Sequence, residues 1–405
     1  MEQGSDRAGA NARSQEITSA YVHIPFCRRR CYYCDFPVSI LGDRSRGDDS
    51  GAIAQYLDYL EREITLSPSL TSPQPLKTVF FGGGTPSLLS ARQVDRVITA
   101  LDRRFGVAGT CEISMEMDPG TFDFEQVRGY VEAGVTRVSL GGQAFQDDLL
   151  QRCGRTHRTG DILAAVEMLR RGRVANLSLD LISGLPEQTL TQWRESLEAA
   201  IALSPEHLSC YDLVLEPVTA FGKQFQPGEK PLPSDETAAQ MYRLARERLA
   251  LAGYEHYEIS NYARAGFQCR HNRVYWENRP YYGFGMGAAS YVAGRRFTRD
   301  RTRREYFAWV EAGYVADSPP TSARDRLCET LMLGLRLAEG VSLTEAIACF
   351  GEEVLEAIVA SLQPYRELGW VEMKGDRLCL SDPEGFLFSN AVLAEVFRVA
   401  DAIAV

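Results

Sequence analysis

From residue 20 to about residue 215 the apolar positions recur in one rhythm: a short β-branched run, a turn rich in Gly, Pro and Asp, then a stretch with helical spacing. The runs at 20–23, 78–81, 111–116, 137–140, 177–181 and 208–215 predict strands. Most are apolar with few alternating polar positions, the pattern of parallel strands covered on both faces. Helical spacing at 52–66, 91–105, 124–133, 161–171 and 190–203 separates them. Six β-α units in one sheet predict an α/β fold, an open or partial (β/α)6 barrel. A dinucleotide-binding fold is disfavoured, because no unit opens with Gly-x-Gly-x-x-Gly.

The chain then changes character. Residues 234–253 predict a helix with Ser234 as N-cap and Gly253 as its stop. An aromatic, Gly-rich stretch follows over 254–291, and Asp317-Ser-Pro-Pro-Thr-Ser reads as a linker. Beyond it, helical patterns flank a hairpin-like pair at 370–374 and 377–380, turning at Gly375-Asp376. These breaks divide the chain into a disordered tail (1–18), a barrel (19–225), a barrel-covering helical and aromatic region (226–316) and a winged-helix-like accessory domain (323–405). The amphipathic 391–405 pattern is expected to pack on a core, with membrane association at most peripheral.

Composition narrows the class. A length of 405 residues suits two or three domains, and 45% hydrophobic with 24% charged residues is ordinary for a globular protein. With 44 basic against 54 acidic residues, the net charge of −10 argues against a nucleic-acid binder. The first 18 residues carry no apolar signal segment, and no run reaches the roughly 18 apolar residues of a membrane helix, so a cytoplasmic protein is expected. Of ten cysteines, seven are scattered, as buried small hydrophobes are in a reducing compartment. The other three, Cys27, Cys31 and Cys34, fall within eight residues directly after a predicted strand.

That Cys-x3-Cys-x2-Cys spacing carries the chemistry. Three thiolates in one loop can hold three irons of a [4Fe–4S] cubane and leave the fourth iron open. A zinc site is the alternative, but it wants four ligands, and the nearest fourth candidate, His23, sits on a strand. Three unconnected core cysteines fit poorly with Arg28-Arg29-Arg30 between them. The segment Phe81-Gly82-Gly83-Gly84-Thr85-Pro86 follows the second strand, and its glycines let backbone approach a ligand and offer free N–H groups. Glu116, Gln143, Arg155 and Asp180 lie at or beyond the ends of later strands. Glu116 can accept hydrogen bonds, Gln143 can donate and accept, and Arg155 can pair a carboxylate. Asp180 interrupts an apolar strand, where a carboxylate needs a partner. Singly each is an ordinary capping or pairing residue; together at one barrel mouth they predict a polar cofactor pocket.

The spacing resembles the radical S-adenosylmethionine (SAM) signature. The flanks Tyr21-Val-His-Ile-Pro-Phe-Cys27 and Cys34-Asp-Phe36 are similar to the branch that holds oxygen-independent coproporphyrinogen III oxidase and the HemW-type heme chaperones. The resemblance implies that the open iron is chelated by SAM, and that Tyr21, Tyr33, Gly83, Gly84, Thr85, Glu116, Gln143, Arg155 and Asp180 contact it. Three features separate the two relatives. Phe36 stands where the oxidase pattern has a further cysteine, only 26 residues precede Cys27, and His271-Asn-Arg-Val-Tyr275-Trp276 matches the His-Asn-x-x-Tyr-Trp motif of the chaperones. By that resemblance the cofactors are a [4Fe–4S] cluster, SAM and heme, with His271 as heme ligand and Cys269 ranked behind it.

On residue chemistry alone, His271 reads first as a buried, hydrogen-bonded histidine in an aromatic cluster, and it is the resemblance that favours the ligand. As a heme site, Tyr275, Trp276, Tyr281, Tyr282 and Phe284 would supply the porphyrin platform, and Arg270 and Arg273 would meet its propionates. The resemblance implies a carrier that delivers heme to acceptor hemoproteins, with coproporphyrinogen III oxidation as the competing activity. Arg28-Arg29-Arg30 reads first as a solvated loop and, as the alternative, as the dock of a flavodoxin- or ferredoxin-type reductant; a homodimer is a further expected partner.

Overall fold

The computed structural model describes residues 16–43, 47–68, 74–314 and 318–402. The tail expected over 1–18 falls mostly outside them, and the first described strand begins at Ser19. Six β-α units then follow in order. They are β1 Ser19–Ile24 and α1 Gly51–Leu66, β2 Leu76–Gly83 and α2 Ala91–Phe105, β3 Val107–Met117 and α3 Phe124–Glu132. Next come β4 Arg137–Gln143 and α4 Thr159–Arg171, β5 Asn176–Ser183 and α5 Leu190–Ala202, and finally β6 His207–Asp212 with α6 Asp235–Leu251. Capping fixes the helix starts: Ser90 with Gln93, Asp123 with Gln126 and Thr189 with Gln192 form reciprocal capping boxes. Ser234 caps α6 through Thr237 N, and Gly253, at φ +83°, follows its end.

The sheet does not stop at residue 225. β7 Glu255–Glu258, β8 Asn261–Ala263 and β9 Tyr282–Phe284 join it, with the short helix α7 Arg270–Trp276 between β8 and β9. The nine strands run in the order β9-β1-β2-β3-β4-β5-β6-β8-β7. β9 through β6 are parallel, whereas β8 and β7 are antiparallel additions. β1, which leads into the cysteine loop, is therefore an interior strand flanked by β2 and by a strand some 260 residues later in the chain.

One sequence expectation changes here. The strands alternate more than their apolar content suggests. One face carries Val79, Phe81, Ile113, Met115, Val138, Leu140, Leu177, Leu179 and Leu208, all buried in the main core. The opposite face carries Thr78, Glu112, Ser114, Ser139, Ser178, Asp180, His207 and Ser209. Many of these positions are small hydroxyls, which is why the run reads as apolar.

A second core gathers residues of the accessory domain: α8 Ala323–Gly334, β10 Val341–Ser342, α9 Leu343–Phe350, α10 Glu352–Ser361, β11 Val371–Lys374, β12 Arg377–Leu380 and α11 Ser389–Ala402. Its three strands pair antiparallel in the order β10-β12-β11, with β11 and β12 forming the expected hairpin. α11 buries Val392, Leu393, Val396 and Val399 in that core, as expected of a packing helix. Tyr242 of α6 enters the same core, and Arg243 and Arg246 pair with Glu384 and Asp382, so the domain rests against the barrel. No helix among the described residues is long and apolar enough to cross a membrane.

A buried ion pair closes the sheet's β9 side. The fully buried Glu63 of α1 accepts from Arg299 Nε at 2.7 Å, Tyr306 Oη at 2.7 Å and Gly285 N at 2.8 Å. Removing one partner of a buried pair leaves a charge without compensation and costs about 3–5 kcal/mol. Glu63→Ala is expected to lower unfolding stability by that order, read as a drop in the urea midpoint of the cluster-free chain. Arg62→Ala, one residue away, is expected to leave the midpoint within the scatter of surface changes.

Candidate functional site

The C-terminal ends of the parallel strands surround a cavity of about 270 Å³. Cys27, Cys31 and Cys34 line it, and so do Tyr33, Gly83, Gly84, Thr85, Glu116, Gln143, Arg155 and Asp180. The topology explains the meeting, since all but Asp180, which sits within β5, lie towards a strand end or in the connection after one, and parallel strands point every such connection the same way. Tyr21 and His271 are not among the lining residues.

The thiols are free and half-buried. Burial pushes the Cys27 thiol up to about 12, against the Thr85 hydroxyl that donates to its sulfur at 3.5 Å, and burial also raises Cys34. Bare, both are thiols at neutral pH; iron binding would displace their protons. Arg155 Nη1 stands 3.5 Å from Cys31 Sγ and donates to the Tyr33 hydroxyl at 3.3 Å, so a cation faces one sulfur as the Thr85 hydroxyl faces another. That donor set suits an anionic iron–sulfur cluster. A lone metal ion needs several ligands on one point, and among the described residues no three His, Cys, Asp or Glu side chains meet so. A cubane asks only that each thiol reach its own iron.

Arg155 organises the rest of the mouth. Its Nη2 pairs with Asp118 Oδ1 and donates to Gly141 O at 2.9 Å. The carboxylate expected opposite Arg155 is thus the chain's own Asp118, which sequence reasoning did not single out. Burial alone would lift the Asp118 carboxyl, but Arg155 and the His157 ring hold it below the ordinary aspartate range. Arg155 Nε is buried without a partner, a donor left over for a bound group. Gly141 keeps this space open, since a Cβ there would lie 3.0 Å from both Arg155 Nη2 and Gln143 Nε2. Gln143 itself has φ +66° beside a register shift in β4, the kind of irregularity that re-aims a side chain.

The glycine turn differs from its expectation. Its N–H groups are occupied by protein: Gly84 N donates to Ile24 O at 2.9 Å, Thr85 N to Phe26 O at 2.7 Å and Gly83 N to Glu116 Oε2 at 2.9 Å. The glycines serve close packing against β1, because a Cβ on Gly83 (φ +108°) would overlap the His23 ring at 2.3 Å. Glu116 gains from the arrangement one firm donor, yet burial, with Asp180 nearby, still pushes its carboxyl up to about 7. Asp180 finds the partners it needs in hydroxyls. Ser139 Oγ donates at 2.9 Å and Ser178 Oγ at 3.2 Å, and burial raises its carboxyl.

Tyr21 Oη hydrogen-bonds His23 Nδ1 at 3.0 Å, and its ring stacks on Phe80, behind the cavity wall. His271 lies further off, at the start of α7. Its Nδ1 meets Thr78 Oγ1 at 2.8 Å and its Nε2 meets Tyr275 Oη at 2.8 Å, and burial brings the ring down to about 3. Thr78 is five residues along β2 from Gly83, about 16 Å at the usual rise of a strand. Each ring nitrogen thus has a hydroxyl partner within the chain. Of the aromatic residues named with it, Tyr275 packs edge-on to Tyr281, and Tyr282 stacks on Phe105. Arg273 pairs with Glu277 and Glu339, and the Cys269 thiol is buried 3.8 Å from Glu112.

Comparison with known proteins agrees with this geometry. Residues 21–200 match the radical SAM superfamily, and residues 321–388 match the HemN C-terminal domain. The chain is 46% identical to the heme chaperone HemW of Synechocystis sp., over 95% of this chain and 97% of that one. It is 35% identical to HemW of Bacillus subtilis (93% and 98% covered) and 34% identical to that of Escherichia coli (82% and 86%). Among solved structures, coproporphyrinogen III oxidase (HemN) from Escherichia coli superposes with a TM-score of 0.81 at 21% identity, covering 96% of this chain and 91% of that one, a likeness of fold. A three-cysteine loop at the mouth of a partial parallel barrel, with this accessory domain and these relatives, places the chain in the HemW family of radical SAM proteins.

Proposed function

We propose that this chain is a heme carrier: it holds a [4Fe–4S] cluster on Cys27, Cys31 and Cys34, binds SAM in the adjoining cavity and delivers heme to acceptor hemoproteins. The observation that carries the cofactor half is the meeting of three thiols and a ring of polar strand-end residues around one cavity. The heme half rests on the relatives, whose printed names describe heme chaperones.

Bound SAM on a reducible cluster would supply radical chemistry. The chain's own residues position and shield it. Arg155 sets the electrostatics, with Asp118 neutralising most of its charge and the Nε donor left for an anionic group. Glu116 offers its second oxygen to hydroxyl or ammonium donors while Gly83 N fixes the first. Gln143, turned inward by its left-handed backbone, supplies a donor and an acceptor. Arg155 and Thr85 donate toward the sulfurs of Cys31 and Cys27, and such donors tune a cluster's potential.

Three outcomes test this reading. Anaerobic reconstitution is expected to give about four irons and four sulfides per chain; Cys27→Ala, Cys31→Ala or Cys34→Ala should each abolish the cluster's absorbance, and retention of it in all three would remove the ligand assignment. SAM affinity should follow the Glu116 carboxyl. A group at about 7 is mostly protonated at pH 6 and mostly ionised at pH 8, so affinity should rise about tenfold between them. Glu116→Gln should flatten that profile in calorimetric titrations, and an unchanged slope would take Glu116 out of the site. Heme added anaerobically should bind saturably, one per chain, by Soret absorbance. Conversion of coproporphyrinogen by the reconstituted protein would replace the carrier reading with the oxidase.

A further inference from the structure

A line of hydrogen-bonded side chains crosses the polar face of the sheet, from the cavity to the start of α7. It begins at Asp180, which lines the cavity. Ser178 Oγ lies 3.2 Å from Asp180 Oδ1 and 2.8 Å from His207 Nδ1. His207 Nε2 meets Tyr257 Oη at 2.9 Å, and that oxygen accepts from Cys269 N at 3.3 Å. Cys269 is the residue from which α7 starts. Ser178, His207, Tyr257 and Cys269 are all buried, and they come from β5, β6, β7 and the connection after β8. A buried polar group needs a partner, and isolated pairs would satisfy that need. Four segments joined end to end do more.

The two ends give the line a direction. An amide N–H only donates, and a carboxylate only accepts. Burial, with Arg137 nearby, holds the His207 ring well below the ordinary histidine range, so it is neutral and carries one ring proton. One arrangement then gives every pair a proton. Cys269 N donates to Tyr257 Oη, Tyr257 Oη to His207 Nε2, His207 Nδ1 to Ser178 Oγ, and Ser178 Oγ to Asp180. Bonds aligned head to tail polarise one another, so the hold on Cys269 N depends on how firmly Asp180 accepts.

At the far end, α7 is closed over its histidine. The His271 side chain is wholly buried, so heme reaches it only when the start of α7 moves. Three bonds hold that start in place: Glu112 Oε1 accepts from His271 N at 3.2 Å, Thr78 Oγ1 meets the ring at 2.8 Å, and Tyr257 holds Cys269 N. The hold through Tyr257 continues by side chains to the cavity wall. We propose that His207 and Tyr257 are positioning residues that couple the two sites: SAM on Asp180 slackens the line, releases the start of α7 and tightens heme binding. This rests on the reading that SAM fills the cavity and that heme is carried, taken up at His271, and it adds the link between them. SAM brings hydroxyl and ammonium donors, and a carboxylate that accepts from one of these holds Ser178 less firmly. By linkage, heme tightens SAM by the same factor.

The test uses the full, cluster-reconstituted chain, anaerobic and without reductant so that SAM stays intact. Heme is titrated by Soret absorbance with and without saturating SAM. The wild-type chain is expected to bind heme about fivefold tighter, or more, when SAM is present. Heme should tighten SAM equally in calorimetric titrations. Tyr257→Phe removes one hydroxyl and cuts the line. Without SAM it should bind heme as tightly as the SAM-loaded wild type, and added SAM should change nothing. His207→Phe should behave alike, and where it fails to fold, Tyr257→Phe decides alone. General damage to the fold would weaken heme binding, the opposite sign. Equal heme affinity with and without SAM in the wild type, both ligands binding, would overturn the coupling while leaving a heme carrier standing. A SAM effect of wild-type size in Tyr257→Phe would overturn the route assigned here. Weaker heme binding in both variants would overturn it too, by showing that the line supports the heme site instead of restraining it. Failure of the wild-type chain to bind heme at all would remove the carrier reading, and the coupling with it.

Discussion

A parallel sheet sends every loop that follows a strand to the same edge, and that constraint makes the site. No two of the three segments carrying Cys27, Glu116 and Asp180 are close in sequence, yet the strands deliver all three to one cavity. Arg155 then ties the edge together: it reaches Cys31 and Tyr33 in the first loop, Asp118 after β3 and Gly141 at the end of β4. The guanidinium suits this task because its planar fork serves several acceptors at once while its charge cannot be lost. With Arg155 removed, Asp118 would be a carboxylate without its strongest compensation, and the cysteine loop would lose one of its ties to β3 and β4.

Much of this was legible in the chain itself. The α2 boundaries fall at Ala91 and Phe105 as the periodicity predicts, because the capping box at Ser90 and the turn at Gly106 are local signals. The cysteine loop and the Gly-Gly-Gly-Thr-Pro turn were recognisable for the same reason. What stayed hidden depends on contacts between distant segments. Asp118 looks like any aspartate before a Pro-Gly turn until Arg155 is seen beside it. The strands β8 and β9 are three residues each, too short for periodicity to register. Ser139 and Ser178 stood in runs that look apolar, and only the sheet shows that they face Asp180.

The His-Asn-x-x-Tyr-Trp segment illustrates a different difficulty. Its residue types suit a porphyrin, and they suit an aromatic core equally well, since a neutral imidazole with two hydroxyl partners is a comfortable buried group. Sequence cannot choose between these uses because both ask for the same side chains. Thr78, which accepts or donates to Nδ1 from 193 residues away, is the residue that decides the environment, and nothing local to His271 announces it.

The pairing of β9 with β1 has a consequence in time. The strand that leads into the cysteine loop is covered on one side by β2, about fifty residues on, but its other edge waits for Tyr282–Phe284. At ribosomal rates of roughly 5–20 residues per second, that edge stays unpaired for about 13–50 s of synthesis. An unpaired interior-type strand is a template for wrong partners, and the Glu63–Arg299 clamp cannot form until later still. The nascent chain therefore passes through a long interval in which its cysteines are present and their scaffold is not. Iron delivered during that interval would meet a half-built sheet, so orderly maturation of this protein favours metal arriving after the ribosome has finished.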